Sequence, residues 1–455
     1  MNYSNRLGED SVSSLLLKFS IPAITGMIVN ALYNVVDKMF VGNYVGPDGL
    51  AGLTIGFPIM IILMAFSMLV GFGATSLISI RLGEHKKEEA EVIAGNAVIL
   101  LILVSLIISI LGLIFIDPLL KLFGASEHVL PYAREYLSII LYGAVFQGIG
   151  FGMNNFIRAE GNPKMAMFTM LIGAITNIVL DYTFIAIFGW GIKGAAIATI
   201  ISQAVSAAWV LSYFLTGKST IKLYSNNLKL RKSVVLGIFS IGMAPFSMQV
   251  ASSLITIILN KSLGNYGGDR AIAAMGIING ISTLILMPIF GINQGVQPII
   301  GYNYGAKKYA RVKKALKYAI TAATVVVTAW FIIIRIFPEG LIRIFNKKDP
   351  ELIALGARGL KIYFTFLPVI GAQIVSSNYF QAVGKPKQAM FLSLSRQVVL
   401  LLPALLVLPK FFGLDGVFMA GPFSDLGSSI ITIIWLIVEL RNLDSKHMEE
   451  AGNEV

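Results

Sequence analysis

From Leu15 to Glu439 the chain alternates long apolar runs with short polar breaks. Each run can cross a hydrocarbon core of about 30 Å at about 1.5 Å per residue. A backbone exposed to lipid must satisfy its own hydrogen bonds, so these runs predict helices. Twelve are expected, at 15–42, 50–80, 91–116, 132–158, 165–188, 192–215, 234–260, 271–300, 315–337, 351–381, 388–409 and 416–438. The second and eighth exceed a straight crossing, which tilt accommodates.

The polar breaks repeat. NFIRAEGNPK, from Asn155 to Lys164, returns as NYFQAVGKPK from Asn378 to Lys387, with Gly161 and Gly384 at matching places. Gly83 and Gly305 echo each other at nearly the same offset. Shared apolar composition would not place Gly, Pro and Lys at a constant separation, so the chain predicts two facing copies. The fold expected is an all-α integral membrane protein whose twelve transmembrane helices form two pseudo-symmetric six-helix bundles. The first lobe covers 1–215, a linker 216–233, the second lobe 234–438 and a tail 439–455. Six spans per copy give both lobes the same polarity, with their symmetry axis along the membrane normal.

Composition agrees: 56% of residues are hydrophobic, 13% are charged, and mean hydropathy is +0.77. Little chain remains for an extramembrane domain, and the first run reads as a retained helix, lacking a small-residue cleavage site. There is no cysteine, and His85, His128 and His447 fall in loops or the tail. That argues against intramembrane metal sites and His-dependent membrane enzymes. The net charge of +12 could suggest nucleic acid, but the basic residues gather in alternate loops. Arg81, Lys86 and Lys87, then Lys164, then Lys218, Lys222, Lys229, Arg231 and Lys232, then Lys307, Lys308, Arg311, Lys313 and Lys314 mark one side. The positive-inside bias puts that side, with both termini, in the cytoplasm and makes membrane lipid the partner instead of nucleic acid.

Carboxylates inside spans are costly and usually line an internal cavity or pair with a cation. Asp37 sits late in the first span on a face with Asn30 and Asn34; Asp181 sits late in the fifth, one turn after Asn177. Thr199 falls at a similar depth in the sixth, so Asp37, Asn177, Asp181 and Thr199 can form one cluster in the first lobe. The plainer reading of Asp37 is an interfacial residue beside a snorkelling Lys38. In the second lobe the equivalent positions hold Leu259 and Ala404. A buried carboxylate disfavours its charged form and can hold a proton near neutral pH; with amide and hydroxyl oxygens around it, it could instead hold Na⁺.

Other intramembrane features divide between structure and pathway. Arg396 and Asp425 suit a structural ion pair, and Arg335 suits snorkelling. Met27, Met64, Phe66, Met68, Met243, Met248 and Met287 can border a central cleft, where thioethers would accept varied apolar ligands; ordinary packing is the alternative. Pro22 removes a backbone hydrogen bond in the helix that carries Asp37, giving either a static kink or a bend that protonation biases.

The segments YNVVDKMFVGNYVG around Asp37 and TNIVLDYTFI around Asp181, with the RAEGNPK and QAVGKPK turns, resemble the MATE family of multidrug and toxic compound extrusion transporters. The likeness covers essentially the whole chain and is nearest to the family's MepA-like bacterial group. It implies a MATE/MOP-type fold in a bacterial cytoplasmic (inner) membrane, with no cofactor. The implied activity is export of cationic amphipathic drugs in exchange for H⁺ or Na⁺, by an antiporter that is not an enzyme and is expected to be monomeric. It implies coupling roles for Asp37, Asn177, Asp181 and Thr199 and a bending role for Pro22. Asn154 could join that cluster, although its depth is nearer the cytoplasmic end; Gln147 is a better-placed donor. Second-lobe carboxylates known in one branch are missing here. The competing expectation is a flippase for lipid-linked oligosaccharide or peptidoglycan precursors, which would favour a strongly basic cavity for a pyrophosphate.

Overall fold

The structure, a computed structural model, describes residues 3–347 and 349–453, with no strand among them. Among the described residues, nine helices are long and apolar enough to cross a membrane, and two bent helix pairs raise this to eleven. The last, Pro386–Ser445, is broken at Gly413 (φ 57°, ψ −134°), so it supplies two crossings and the count reaches twelve among the described residues. An even number of crossings leaves both chain ends on one side, called here the termini end.

Two expected spans are not single rods. The fourth is Leu130–Tyr142 followed by Ala144–Ala159, bent by 55°; the tenth is Pro350–Tyr363 followed by Leu367–Ala382, bent by 52°. Pro22 sits inside an α-helix that runs unbroken over Val12–Phe40. Beyond position 438 the chain does not leave the helix, which continues to Asn453.

The duplication is written into the backbone as well as the sequence. Left-handed residues recur in pairs: Gly46 (φ 96°) with Gly268 (φ 64°), His85 (φ 60°) with Lys307 (φ 57°), and Gly161 (φ 99°) with Gly384 (φ 72°). Each pair closes the equivalent turn of the two copies. His85 and Lys307 bear side chains that disfavour this region, so the turn geometry, and not the residue type, is what repeats.

The halves meet in a seam of backbone contacts near the termini end. A Cβ on Gly83 would lie 1.9 Å from the Tyr302 carbonyl oxygen, and one on Gly305 would lie 2.1 Å from that of Ile80. Deeper in, Gly73 faces the Ile238 carbonyl, Gly242 that of Leu69, Gly291 meets Ile24 and Gly295 meets Ser20. Gln297 donates to Ser76 Oγ at 2.9 Å across the same buried seam. Helices approach this closely only where side chains are absent. Farther from the termini, the cross-lobe contacts become side chain on side chain: Phe66 on Phe246 with centroids 4.8 Å apart, and Gln294 Nε2 on Met27 Sδ at 3.5 Å.

The connection at 216–231 is anchored to the first half. Asn96 donates to the carbonyls of Asn227 and Lys229 and accepts from Arg231 N–H. Glu91 accepts from Lys222 N–H at 3.0 Å. The buried Glu160 accepts from Ser219 Oγ and the N–H groups of Thr220 and Ile221. Charge-assisted bonds to backbone donors are among the stronger ones, so this segment is a bolted strap and not a loose tether.

Candidate functional site

Packing fixes the level of each candidate in the first half. Gly26 of the first span packs directly on Met170 of the fifth, and the two helices run the same way. Asp37 follows Gly26 by as many residues as Asp181 follows Met170, so both carboxylates stand at one height, about 16 Å farther from the termini end. Gly173 of the fifth span packs on Ser206 of the antiparallel sixth, and Thr199 lies two turns back from Ser206, level with Asp181.

Burial at that level is deep. Asp181 is 0% exposed, Asn177 1%, Thr199 6% and Asp37 8%. Both Asp181 oxygens, Asp37 Oδ1 and both polar atoms of the Asn177 side chain lack a hydrogen-bond partner among the described residues. Neither carboxylate has a salt-bridge partner among them. Lys38, next in sequence to Asp37, is exposed, with its ammonium 5.4 Å from the Phe57 ring centre and no salt bridge to the carboxylate. Unpaired buried polar atoms of this kind are rare in native proteins and call for a proton, an ion or a ligand.

Two tyrosines stand beside these groups, one with a signal in the sequence and one without. Tyr33 and Tyr136 are both within electrostatic reach of Asp37 and Asp181, and Tyr136 also reaches the Thr199 side chain. Tyr33 shares the Asn30, Asn34, Asp37 face at helical spacing, which was a usable signal. Tyr136 comes from the fourth span before its bend and had none.

Asn34 borders this group: it donates to the Asn30 backbone carbonyl at 2.7 Å and to its side-chain oxygen at 3.4 Å, and it reaches the Tyr33 side chain. Asn154 is a correction: it lies past Gly150, which packs at the level of Ser206 and Ala207, and so on the termini side, roughly 16 Å below Thr199. It is buried with an unpartnered Oδ1, away from the carboxylates. Gln147 is half-buried with an unpartnered Oε1, one turn from Gly150 on the carboxylate side. Met27, Met64, Phe66, Met68, Met243, Met248 and Met287 are all half-buried, and Met27 and Phe66 touch the opposite half.

Two short π-helical stretches follow the carboxylates, Val41–Val45 after Asp37 and Tyr182–Ile187 directly after Asp181. Such stretches are concentrated at functional sites. In the second half a third, Ser395–Leu401, carries Arg396, whose Nε meets Asp425 Oδ1 at 2.6 Å, and Gln397, which donates to Ser252 Oγ. Among the described residues no group of His, Cys, Asp and Glu is arranged to hold a resident metal ion.

Two six-crossing halves, sealed together at one end and holding uncompensated carboxylates inside one half, have the architecture of a two-lobed membrane transporter. The chain belongs to the MatE family: the family profile matches residues 22–183 and again 245–406, one match in each copy. It is 27% identical over 434 residues to the multidrug export protein MepA of Staphylococcus haemolyticus (strain JCSC1435), covering 95% of each chain. A solved structure of the MATE multidrug transporter DinF-BH in complex with R6G is 43% identical, with TM-score 0.90 over 97% of this chain and 99% of that one. A multidrug resistance MATE family transporter of the MOP superfamily in an outward-facing conformation is 26% identical, with TM-score 0.91 over 96% and 98%.

Proposed function

We propose that the chain is a secondary active antiporter that exports cationic amphipathic compounds in exchange for H⁺ or Na⁺. The observation that carries this reading is the pair of buried carboxylates, Asp37 and Asp181, with no salt bridge to either among the described residues. Removing a carboxylate from water is costly unless a proton or a cation joins it. A site that must be neutralised in this way gives two cations, the coupling ion and the drug, a common demand, and hence competition. The names of the relatives support multidrug export as the direction of use.

In this mechanism Asp37 and Asp181 take up the coupling ion from the side opposite the termini, with Asn177 and Thr199 supplying neutral oxygens. Occupancy narrows the first-lobe cavity, shifts the helix around Pro22 and releases the drug outward. The lobes then part at the termini end, the ion leaves, and a new drug enters from the cytoplasm. The basic loops support a cytoplasmic position for the termini, and the bacterial relatives support a bacterial inner membrane as the location.

Ethidium transport into everted vesicles, under an imposed pH gradient or an imposed Na⁺ gradient, tests the proposal. Wild type is expected to respond to one gradient, and Asp181→Asn to lose that response while inserting normally. Equal transport by the variant would remove the coupling role; no transport under either gradient would remove the drug-export reading.

A further inference from the structure

A cavity of about 350 Å³ opens at the termini end, away from the carboxylate site. Its walls include Arg6, Asp10, Lys18, Asn162 and Lys164. Arg6 and Lys18 share one carboxylate oxygen, Asp10 Oδ2, at 3.5 and 3.3 Å, and Lys164 has no ion-pair partner among the described residues. Three cations therefore face a single negative charge. The cavity also meets the start of the helix Pro163–Asp181, capped by Asn162, whose side-chain oxygen accepts from Met165 N–H. The backbone N–H of Lys164 lies in that first turn, where no intrahelical acceptor exists. Lysines and a helix N-terminus together favour a phosphate.

We infer that this cavity binds the phosphate headgroup of an anionic phospholipid from the leaflet at the termini end. The position is right for a lipid: Phe19 and Leu15 line the same cavity beside the charged groups. The inference needs only a membrane protein in this orientation and stands whether or not drugs are the cargo.

The site also spans the seam. Arg6 and Asp10 belong to an N-terminal segment held by the second half, through Asn303 Nδ2 and Arg311 Nη2 on the Leu7 carbonyl, Lys308 Nζ on that of Gly8 and Arg311 Nη2 on that of Asp10. Asn162 and Lys164 belong to the first half. A headgroup held by both sides binds the sealed arrangement more tightly than a parted one, and so stabilises the seal.

The test is a thermal-shift titration of the full-length detergent-solubilised protein with dioctanoyl phosphatidylglycerol. Wild type should show a saturable rise in unfolding temperature. The half-saturating concentration should increase about fivefold in Lys164→Gln and about thirtyfold in Lys18→Gln/Lys164→Gln. Lys218→Gln, an exposed linker position outside the cavity, should match wild type. Lys164 is also exposed, so its single variant keeps the test decisive if the double variant unfolds. Identical titrations for wild type and Lys164→Gln would overturn the site. An equal shift with dioctanoyl phosphatidylcholine, or with inorganic phosphate alone, would overturn the anionic-lipid assignment.

Discussion

If the glycine seam is the gate at the termini end, filling it should open the protein without unfolding either half. The sharpest perturbation is Gly242→Ala. Its Cβ would fall 1.7 Å from the Leu69 carbonyl oxygen, 2.6 Å from the carbonyl carbon and 2.9 Å from the Leu69 Cα, all rigid backbone of the opposite half. Ordinary contact begins at 3.4 Å, so the two helices must withdraw by well over an ångström. Overpacking of this kind costs about 1–3 kcal/mol when the neighbours cannot move. Here they can, by parting at this end, so the cost falls on the sealed state alone. The ratio of open to sealed protein should then rise between about fivefold and about 150-fold. The chain has no cysteine, so Ser79→Cys, fully buried against Gly301 in the seam, provides a single reporter. Its maleimide labelling rate should rise in Gly242→Ala by the same factor, up to the limit of full exposure. Gly237→Ala is the control, because its Cβ meets only the flexible Leu77 Cδ1 at 3.3 Å. A lowered melting temperature in Gly242→Ala with labelling equal to that of Gly237→Ala would show a packing defect and no gate.

Two further outcomes follow from other buried charges. Burial pushes the Glu160 carboxyl above its ordinary range, against the opposing effect of its bonds from Tyr213, Ser219, Ile221 and Thr220. A raised acid stabilises the fold fully below its unfolded value, and that contribution is lost as pH rises through the folded value. Glu160→Gln should therefore match wild type in acid and exceed it in melting temperature as pH increases, while Glu160→Ala, which strands the strap's donors, should fall by about 1–3 kcal/mol at every pH; a melting-temperature series across pH in detergent checks both. In the second half, Asp425→Ala leaves Arg396 buried without its partner and should destabilise by about 3–5 kcal/mol, whereas Arg396→Met/Asp425→Leu should recover most of that loss. A double variant no better than the single one would show that the pair does more than compensate its own burial.

The carboxylate site was visible in the sequence because it violates the local apolar pattern. Asp37, Asn177 and Asp181 interrupt runs that otherwise face lipid, and their spacing along single helices sets them on common faces. Tyr136 violates nothing: a tyrosine in Leu130–Tyr142, the segment ahead of the 55° bend, fits an interfacial or packed position equally well. The first bend had no proline to announce it, since Gly143 lies in a run of ordinary apolar residues, whereas the second falls at 364–366, just before Pro368 in the first turn of Leu367–Ala382. Asn154 was the right residue type on the right helix, but its position along the span already set it toward the termini end, where the structure has it.

The strap shows a deeper limit. Glu91 and Asn96 begin the third span, where polar residues are expected at an interface and need no explanation. Their partners are backbone groups of residues about 130 positions later, and backbone donors look the same at every position. Periodicity can therefore find the halves but not what ties one to the other. Yet these ties determine which motions are free. The 216–231 strap is bound to the half it leaves, and the N-terminal segment to the half it does not belong to. Parting the halves at this end leaves the first set of bonds intact and strains the second. The N-terminal segment thus opposes opening alongside the Gln297–Ser76 bond of the seam, and it is also a wall of the basic cavity, which puts lipid binding and gate closure on the same residues.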